Sequence, residues 1–174
     1  SGSPAMYNYS FAQTGLDYAY LAYDVPLEKT EEAVNALKVL GCKGFNVTMP
    51  CKTRVEELVD ELSDAAKLIG ACNTVVVKDG KLYGNNTDGM GFVRNLKENG
   101  VDVKGKKITV MGAGGAATAI QVQCALDGAK KLSIFNRKDE FYANGEKTVK
   151  KIQQMVPDCE VSIHPLEETD ALYA

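Results

Sequence analysis

Met111-Gly112-Ala113-Gly114-Gly115-Ala116-Ala117 stands between a short apolar run, Lys107 to Met111, and an alanine-rich stretch, Ala116 to Asp127. The spacing fits G-x-G-x-x-A at a strand-to-helix junction. Gly112 would serve the tight turn, Gly114 the close approach of backbone to a pyrophosphate, and Ala117 the packing of helix on strand. A helix starting there offers unpaired N–H groups and a partial positive charge to phosphates. Gly112, Ala113, Gly114, Gly115 and Ala116 are therefore the candidate phosphate cradle. Further on, Lys131 to Phe135 reads as a strand, Glu140 to Met155 as a helix and Glu160 to Ile163 as a third strand. Strand–helix–strand–helix–strand at this pitch predicts a parallel sheet.

The end of the second strand bears on which dinucleotide is bound. It runs into Asn136-Arg137-Lys138-Asp139, and Asp139 lies 24 residues after Gly115. That is close to the spacing of about 20 residues at which an acid accepts the ribose 2′-hydroxyl, which favours NAD. Arg137 and Lys138 point the other way, because both can pair with the 2′-phosphate of NADP. Asn136, Arg137 and Asp139 are the candidate residues, and the reading is dual use with a modest NAD preference.

Upstream, the pattern also alternates. Pro4 to Thr14, Leu27 to Leu40, Lys52 to Leu62, Ser63 to Ile69 and Thr87 to Asn99 read as helices, with Ser63 an N-cap and Gly41 and Gly100 as stops. Tyr18 to Val25, Gly44 to Thr48, Cys72 to Val77 and Lys81 to Tyr83 read as strands, the last two joined through an Asp79-Gly80 turn. The fold class is α/β. A first unit over 1–86 precedes a Rossmann-type dinucleotide-binding unit over 87–174.

Composition limits the partners. Of 174 residues 45% are hydrophobic and 25% charged, and 20 Lys+Arg against 23 Asp+Glu leave a formal charge of −3. Binding to nucleic acid or an anionic membrane mainly by charge calls for a basic chain, so neither is expected. No apolar run approaches the ~18 residues of a membrane span. Five cysteines with no C-x-x-C, and a single histidine, argue against a metal centre and for reduced thiols in a cytoplasmic protein. His164, placed before Pro165 in an expected loop, makes a poor catalytic base. A small anion rich in hydroxyls suits the remaining polar clusters, which gather hydroxyls, amides, one lysine and one aspartate at element junctions.

Those clusters, in order, are Ser1-Gly2-Ser3-Pro4-Ala5-Met6-Tyr7-Asn8, Asn46-Val47-Thr48-Met49-Pro50-Cys51-Lys52, Gly70-Ala71-Cys72-Asn73-Thr74 and Asn86-Thr87-Asp88-Gly89-Met90-Gly91. With the glycine loop they resemble the shikimate dehydrogenase family across the whole chain. Glu61 to Leu68 and Phe135 to Phe141 are similar to its quinate/shikimate branch, which uses NAD as well as NADP. Strict NADP members usually carry Asn-Arg-Thr followed by a further Arg, a pattern this chain lacks. Gly2 in place of a common Leu, Tyr7 in place of His or Gln, and Cys51 and Cys72 depart from the family pattern without removing a catalytic group.

The resemblance implies a substrate-binding α/β domain before the Rossmann-type domain, with a ring carboxylic acid bound in the cleft between them. It implies that Ser1 and Ser3 bind the carboxylate, that Thr48, Asn73 and Asp88 hold ring hydroxyls, and that Lys52 and Asp88 form the catalytic pair. The activity implied is reversible hydride transfer between 3-dehydroshikimate and shikimate, in the shikimate pathway of aromatic amino acid biosynthesis, with quinate as an additional substrate. Lys52 is the available acid/base; the adjacent carboxylate stabilises its ammonium, so the pair titrates as a unit or Lys52 mainly stabilises alkoxide charge. A monomer or homodimer is expected, and both domains are expected to be truncated at the ends of the chain. The competing readings are a non-catalytic dinucleotide-binding module and a methylenetetrahydrofolate dehydrogenase-like enzyme.

Overall fold

The computed structural model of the chain describes residues 2–168, and its strands sort into two separate sheets. The first half contains α1 (Ser3–Thr14), α2 (Thr30–Val39), β1 (Gly44–Asn46), α3 (Lys52–Glu56), β2 (Glu61–Leu62), α4 (Asp64–Ile69), β3 (Thr74–Lys78) and β4 (Lys81–Asn85). Its sheet runs β1-β3-β4-β2. β3 and β4 form the expected hairpin, with Lys78 opposite Lys81 and both turn residues, Asp79 (φ 50°) and Gly80 (φ 76°), left-handed. A two-residue loop of that kind matches the twist of its strands. Val34, Val55, Cys72, Val75 and Leu82 make a small core under this sheet.

The second half contains α5 (Asp88–Glu98), β5 (Lys107–Met111), α6 (Gly115–Leu126), β6 (Lys131–Asn136), α7 (Glu140–Met155) and β7 (Glu160–Pro165). Its three strands are parallel in the order β5-β6-β7, as the strand–helix alternation predicts. β6 is the central strand, and Leu132, Ile134 and Phe135 on it are fully buried. Burying each such side chain stabilises the fold by about 1.5–3 kcal/mol.

The two halves share a seam of helices. Leu68 of α4 and Val93 of α5 lie in the second core, among Val122, Ala125 and Ile152. At Gly89 a Cβ would stand 2.2 Å from the carbonyl oxygen of Ala119, so α5 touches the backbone of α6. Lys151 Nζ donates to the carbonyl of Leu68 (3.2 Å) at the C-terminal end of α4, where a cation is favourable.

Three expectations need correction. Tyr18 to Val25 forms no strand. A strand requires a ladder partner, and this segment has none among the described residues. It is held instead by Asn8, whose side chain accepts from Tyr20 N–H (2.7 Å) and donates to Tyr20 C=O (2.9 Å). The helix expected over 52–62 ends at Glu56, and Glu61–Leu62 becomes strand β2. There Asp60 docks on β4, exchanging hydrogen bonds with Leu82 through its backbone N–H and Oδ2, so tertiary pairing overrides local helix propensity. His164 belongs to β7, stacked on Phe135 at 5.1 Å, and not to a loop. All five cysteines are free. No described helix is long and apolar enough to cross a membrane.

Candidate active site

Lys52 is the first residue of α3 and Asp88 the first of α5. Their side chains meet, Lys52 Nζ lying 2.7 Å from Asp88 Oδ2 with 25% and 41% side-chain exposure. A pair so open to water adds little stability, so its worth lies in where it places two reactive groups. Asp88 is fixed from the other side as well: Oδ1 accepts from Asn73 Nδ2 at 2.8 Å. Its backbone N–H donates to Asn86 Oδ1 (3.1 Å), and Asn86, itself buried, donates to the carbonyl of Ala71. The backbone N–H of Cys72 donates to the carbonyl of Lys52, tying the Asn73 strand to the lysine's own helix.

Asn73 is the hub of this cluster. Its Oδ1 accepts from the Thr74 hydroxyl (2.8 Å), the Thr87 hydroxyl (3.2 Å) and the Thr87 backbone N–H (2.9 Å). Thr74 Oγ1 in turn accepts from Asn46 Nδ2 at 3.1 Å, and Asn46 Oδ1 accepts from the Tyr20 hydroxyl at 3.2 Å. Tyr20 stacks on Tyr7 with centroids 4.7 Å apart and also hydrogen-bonds Ser3. Burial, and next the Tyr7 phenol beside it, push Tyr20 above the ordinary phenol range. A continuous polar chain thus runs from Ser3 through Tyr20, Asn46, Thr74 and Asn73 to Asp88 and Lys52.

Of the residues expected here from sequence, Ser3, Lys52, Asn73 and Asp88 join this chain. Thr48 lies exposed just before α3, where its carbonyl accepts from Cys51 N–H. Ser1 lies outside the described residues. Asn46, Thr74 and Thr87, which stand in the quoted motifs but were given no role, also join the cluster, as does Tyr20 from outside them. Tyr20 was hidden by an aromatic-apolar run that reads as a strand; the Asn8 of the first motif, which holds it, was the available signal.

The second site lies at the C-terminal ends of β5 and β6. Gly112 (φ 114°) turns the chain, and Gly114, extended at φ −76° and ψ 174°, is the N-cap of α6 with no side-chain cap. The first N–H groups of α6 are thereby left for a ligand. A Cβ at Gly112 would make only an ordinary contact, 3.7 Å from the Ala117 methyl, so its positive φ rather than crowding calls for glycine there. Gly114 and Gly115 differ: neither has a left-handed φ, and a Cβ on either meets nothing within 4 Å. Neither backbone conformation nor packing within the chain requires glycine at these two positions. Gly115 and Ala116 are exposed at this edge. Beside it a cavity of about 210 Å³ is lined by Met111, Gly112, Phe135, Asn136, Arg137 and Leu166.

Asn136 joins the loop to the end of β6, its Oδ1 accepting from Ala113 N–H at 3.1 Å and its Nδ2 donating to Asp139 Oδ1 at 2.8 Å. Asp139 Oδ1 also caps α7 by accepting from Phe141 N–H. Its second oxygen has no protein donor among the described residues. Arg137 and Lys138 are exposed at the same rim. A larger apolar cleft of about 540 Å³, on the other side of β5 by Phe92, Leu96 and Ile120, contains neither the lysine–aspartate pair nor the glycine loop.

The chain is similar along nearly its whole length to known proteins. A family model described as the shikimate dehydrogenase substrate binding domain matches residues 1–75. A shikimate dehydrogenase (NADP(+)) of Listeria monocytogenes is 52% identical over 170 residues, covering 98% of this chain and 58% of that enzyme. The crystal structure of shikimate 5-dehydrogenase from Listeria monocytogenes in complex with shikimate and NAD superimposes with a TM-score of 0.96 at 52% identity, covering 99% of this chain and 59% of that one. The ligand-free 5-ketofructose reductase of a Gluconobacter strain follows with a TM-score of 0.88 at 34% identity, over 95% of this chain and 58% of that one. The chain thus spans less than two thirds of the length of these relatives. Along that shared length, it belongs to the shikimate dehydrogenase family.

Proposed function

We propose that this chain carries the catalytic pair and the phosphate cradle of an NAD(P)-dependent shikimate dehydrogenase, interconverting 3-dehydroshikimate and shikimate. The observation that carries the reading is the Lys52–Asp88–Asn73 cluster on the same chain as a glycine loop whose Gly114 and Gly115 face open space at the start of α6. The bound nicotinamide would supply or accept the hydride. Gly112 and Ala113 would shape the turn, Gly114 to Ala116 would hold its diphosphate, and Asn136, Arg137 and Asp139 the adenosine ribose.

The remaining chemistry falls to this chain's side chains. Reduction of a ring ketone leaves an alkoxide that must take up a proton, and oxidation must release one. Lys52 Nζ is the donor within reach of such an oxygen, and it also stabilises developing negative charge. Asp88 orients the ammonium and, with Asn73 and Thr48, binds ring hydroxyls. Ser3, with Ser1, would take the substrate carboxylate, and Tyr20 beside Ser3 shapes that end of the site. The free oxygen of Asp139 favours the ribose diol of NAD, while Arg137 and Lys138 admit the 2′-phosphate of NADP; dual use with a modest NAD preference follows. The substrate unit would end near residue 86 and the cofactor unit begin at 87.

The test is an oxidation assay of the full-length protein with shikimate, quinate and NAD or NADP, alongside reduction of 5-ketofructose. Turnover of shikimate with either nucleotide is the expected result, with quinate slower. Nucleotide binding without turnover of any of these would assign a binding module instead. Preferential reduction of 5-ketofructose would move the chain to the chemistry of its more distant relative.

A further inference from the structure

One buried group is left unexplained by this reading. Gln121, in the second turn of α6, is fully buried, and its Oε1 is the one buried side-chain polar atom without a hydrogen-bond partner among the described residues. A half-satisfied amide in a core costs free energy that an apolar residue would avoid. Its other end shows what is obtained in exchange: Nε2 donates to the carbonyl of Gly112 at 2.8 Å. Only the amide nitrogen can serve an acceptor, so this bond determines which way the side chain faces.

The next peptide is held in the same manner from a different helix. Asn144 Nδ2, on α7, donates to the carbonyl of Ala113 at 2.7 Å and lies 3.2 Å from Thr118 Oγ1. Its neighbour Gly145 explains how α7 comes so near, since a Cβ there would stand 2.4 Å from Ile163 Cδ1 and 3.1 Å from the Ala113 methyl. The backbone N–H groups are taken too, Gly112 by the carbonyl of Phe135 (2.7 Å) and Ala113 by Asn136 Oδ1. Every polar backbone atom of Gly112 and Ala113 therefore has a protein partner, whereas the first amides of α6 have none among the described residues.

Glycine at 112 permits the turn but does not fix it, because a residue without Cβ rotates its peptide planes at little steric cost. Rotation of the Gly112–Ala113 peptide would turn a carbonyl dipole toward a bound diphosphate and misdirect the N–H groups that follow. We propose that Gln121 and Asn144 are positioning residues that clamp these two carbonyls away from the phosphates and so preorganise the cradle for the dinucleotide. The clamp rests on the dinucleotide-binding reading above, and its lone unpaired Oε1 is the cost of having an amide donor at that position.

The test uses the full chain with Gln121→Met and Gln121→Glu, titrated with NAD and with NADP by calorimetry, together with hydrogen exchange of the bonded Gly112 and Ala113 amides without nucleotide. Gln121→Met is expected to weaken both nucleotides at least about tenfold and to speed exchange of these amides by a similar factor, with the melting temperature within a few degrees of wild type. Gln121→Glu can still donate to Gly112 while its buried carboxyl is protonated. It is expected to bind nearly as wild type at pH 6 and to lose binding at pH 9, relative to wild type at each pH. Wild-type affinity and exchange in Gln121→Met overturn the clamp and leave the dinucleotide reading intact. A lowered melting temperature with unchanged affinity does the same, by assigning Gln121 to the core alone. If Gln121→Met does not fold, the pH comparison in Gln121→Glu decides, and pH-independent affinity overturns the clamp. A wild-type chain that binds neither nucleotide overturns both readings.

Discussion

At Lys52, Asp88 and Asn73 the reactive side chains hold one another, whereas at Gly112 to Ala116 the site is bare backbone held by side chains from elsewhere. The first arrangement suits proton transfer, which needs specific groups at hydrogen-bond distance. The second suits a large anion, which needs several aligned N–H groups and free space. The comparison teaches how each half fails. The first loses chemistry when one side chain is removed, and the second loses binding when one atom is added.

Lys52→Ala is the largest perturbation of the first kind. It should lower kcat about 10²–10⁴-fold, the usual range for a general acid–base, with KM for shikimate rising far less. Steady-state kinetics on the full-length protein decide, and an unchanged kcat would leave Lys52 a binding residue only.

Gly89→Ala acts where the halves join. Its Cβ would press on the Ala119 carbonyl and stand 2.8 Å from Gln123 Cβ. Overpacking of this kind costs about 1–3 kcal/mol, and urea unfolding should show it. Because Asp88 and the cradle helix meet at this contact, kcat should fall as well; loss of stability with normal turnover would show that the seam does not set the site.

The core of the cofactor half offers a pH test. Burial, then Asp127 nearby, push the Cys124 thiol from 9.0 to about 11. Below pH 9 the thiol is neutral in both states and its burial is undisturbed. Between about 9 and 11 only the unfolded chain ionises, so stability falls as pH rises, by at most about 3 kcal/mol for this group. Chemical unfolding of wild type and Cys124→Ala across that window should show a shallower fall in the variant; parallel curves would sink the assignment.

Gly114→Ala is the smallest change and the sharpest contrast with Gly89→Ala. Its added methyl meets nothing within 4 Å among the described residues, so stability should shift by no more than about 1 kcal/mol. Nucleotide affinity should nevertheless fall about tenfold or more. Unchanged affinity by calorimetry would remove the cradle from the site.

The legible parts of the molecule are those whose physics is local. The parallel β5-β6-β7 sheet follows from three apolar runs separated by amphipathic helices, the Asp79-Gly80 hairpin from two residues that tolerate positive φ, and the α4 start from Ser63. The glycine loop shows itself by residues that are missing side chains. Tyr18 to Val25 and Lys52 to Leu62 were misread because local propensity was decided elsewhere, by the absence of a ladder partner in one case and by the docking of Asp60 on β4 in the other.

The sequence by itself determined the α/β class, the cradle's position and the residue types available for chemistry, because periodicity and turn stereochemistry act over a few neighbouring residues. Only the tertiary structure decided that Lys52 and Asp88, 36 residues apart, share one proton-bearing contact. It alone recruited Tyr20, Asn46, Thr74 and Thr87 to the cluster, and Gln121 and Asn144 to the loop. Those contacts join different elements, so they depend on how helices and sheets pack, which no short stretch of chain encodes.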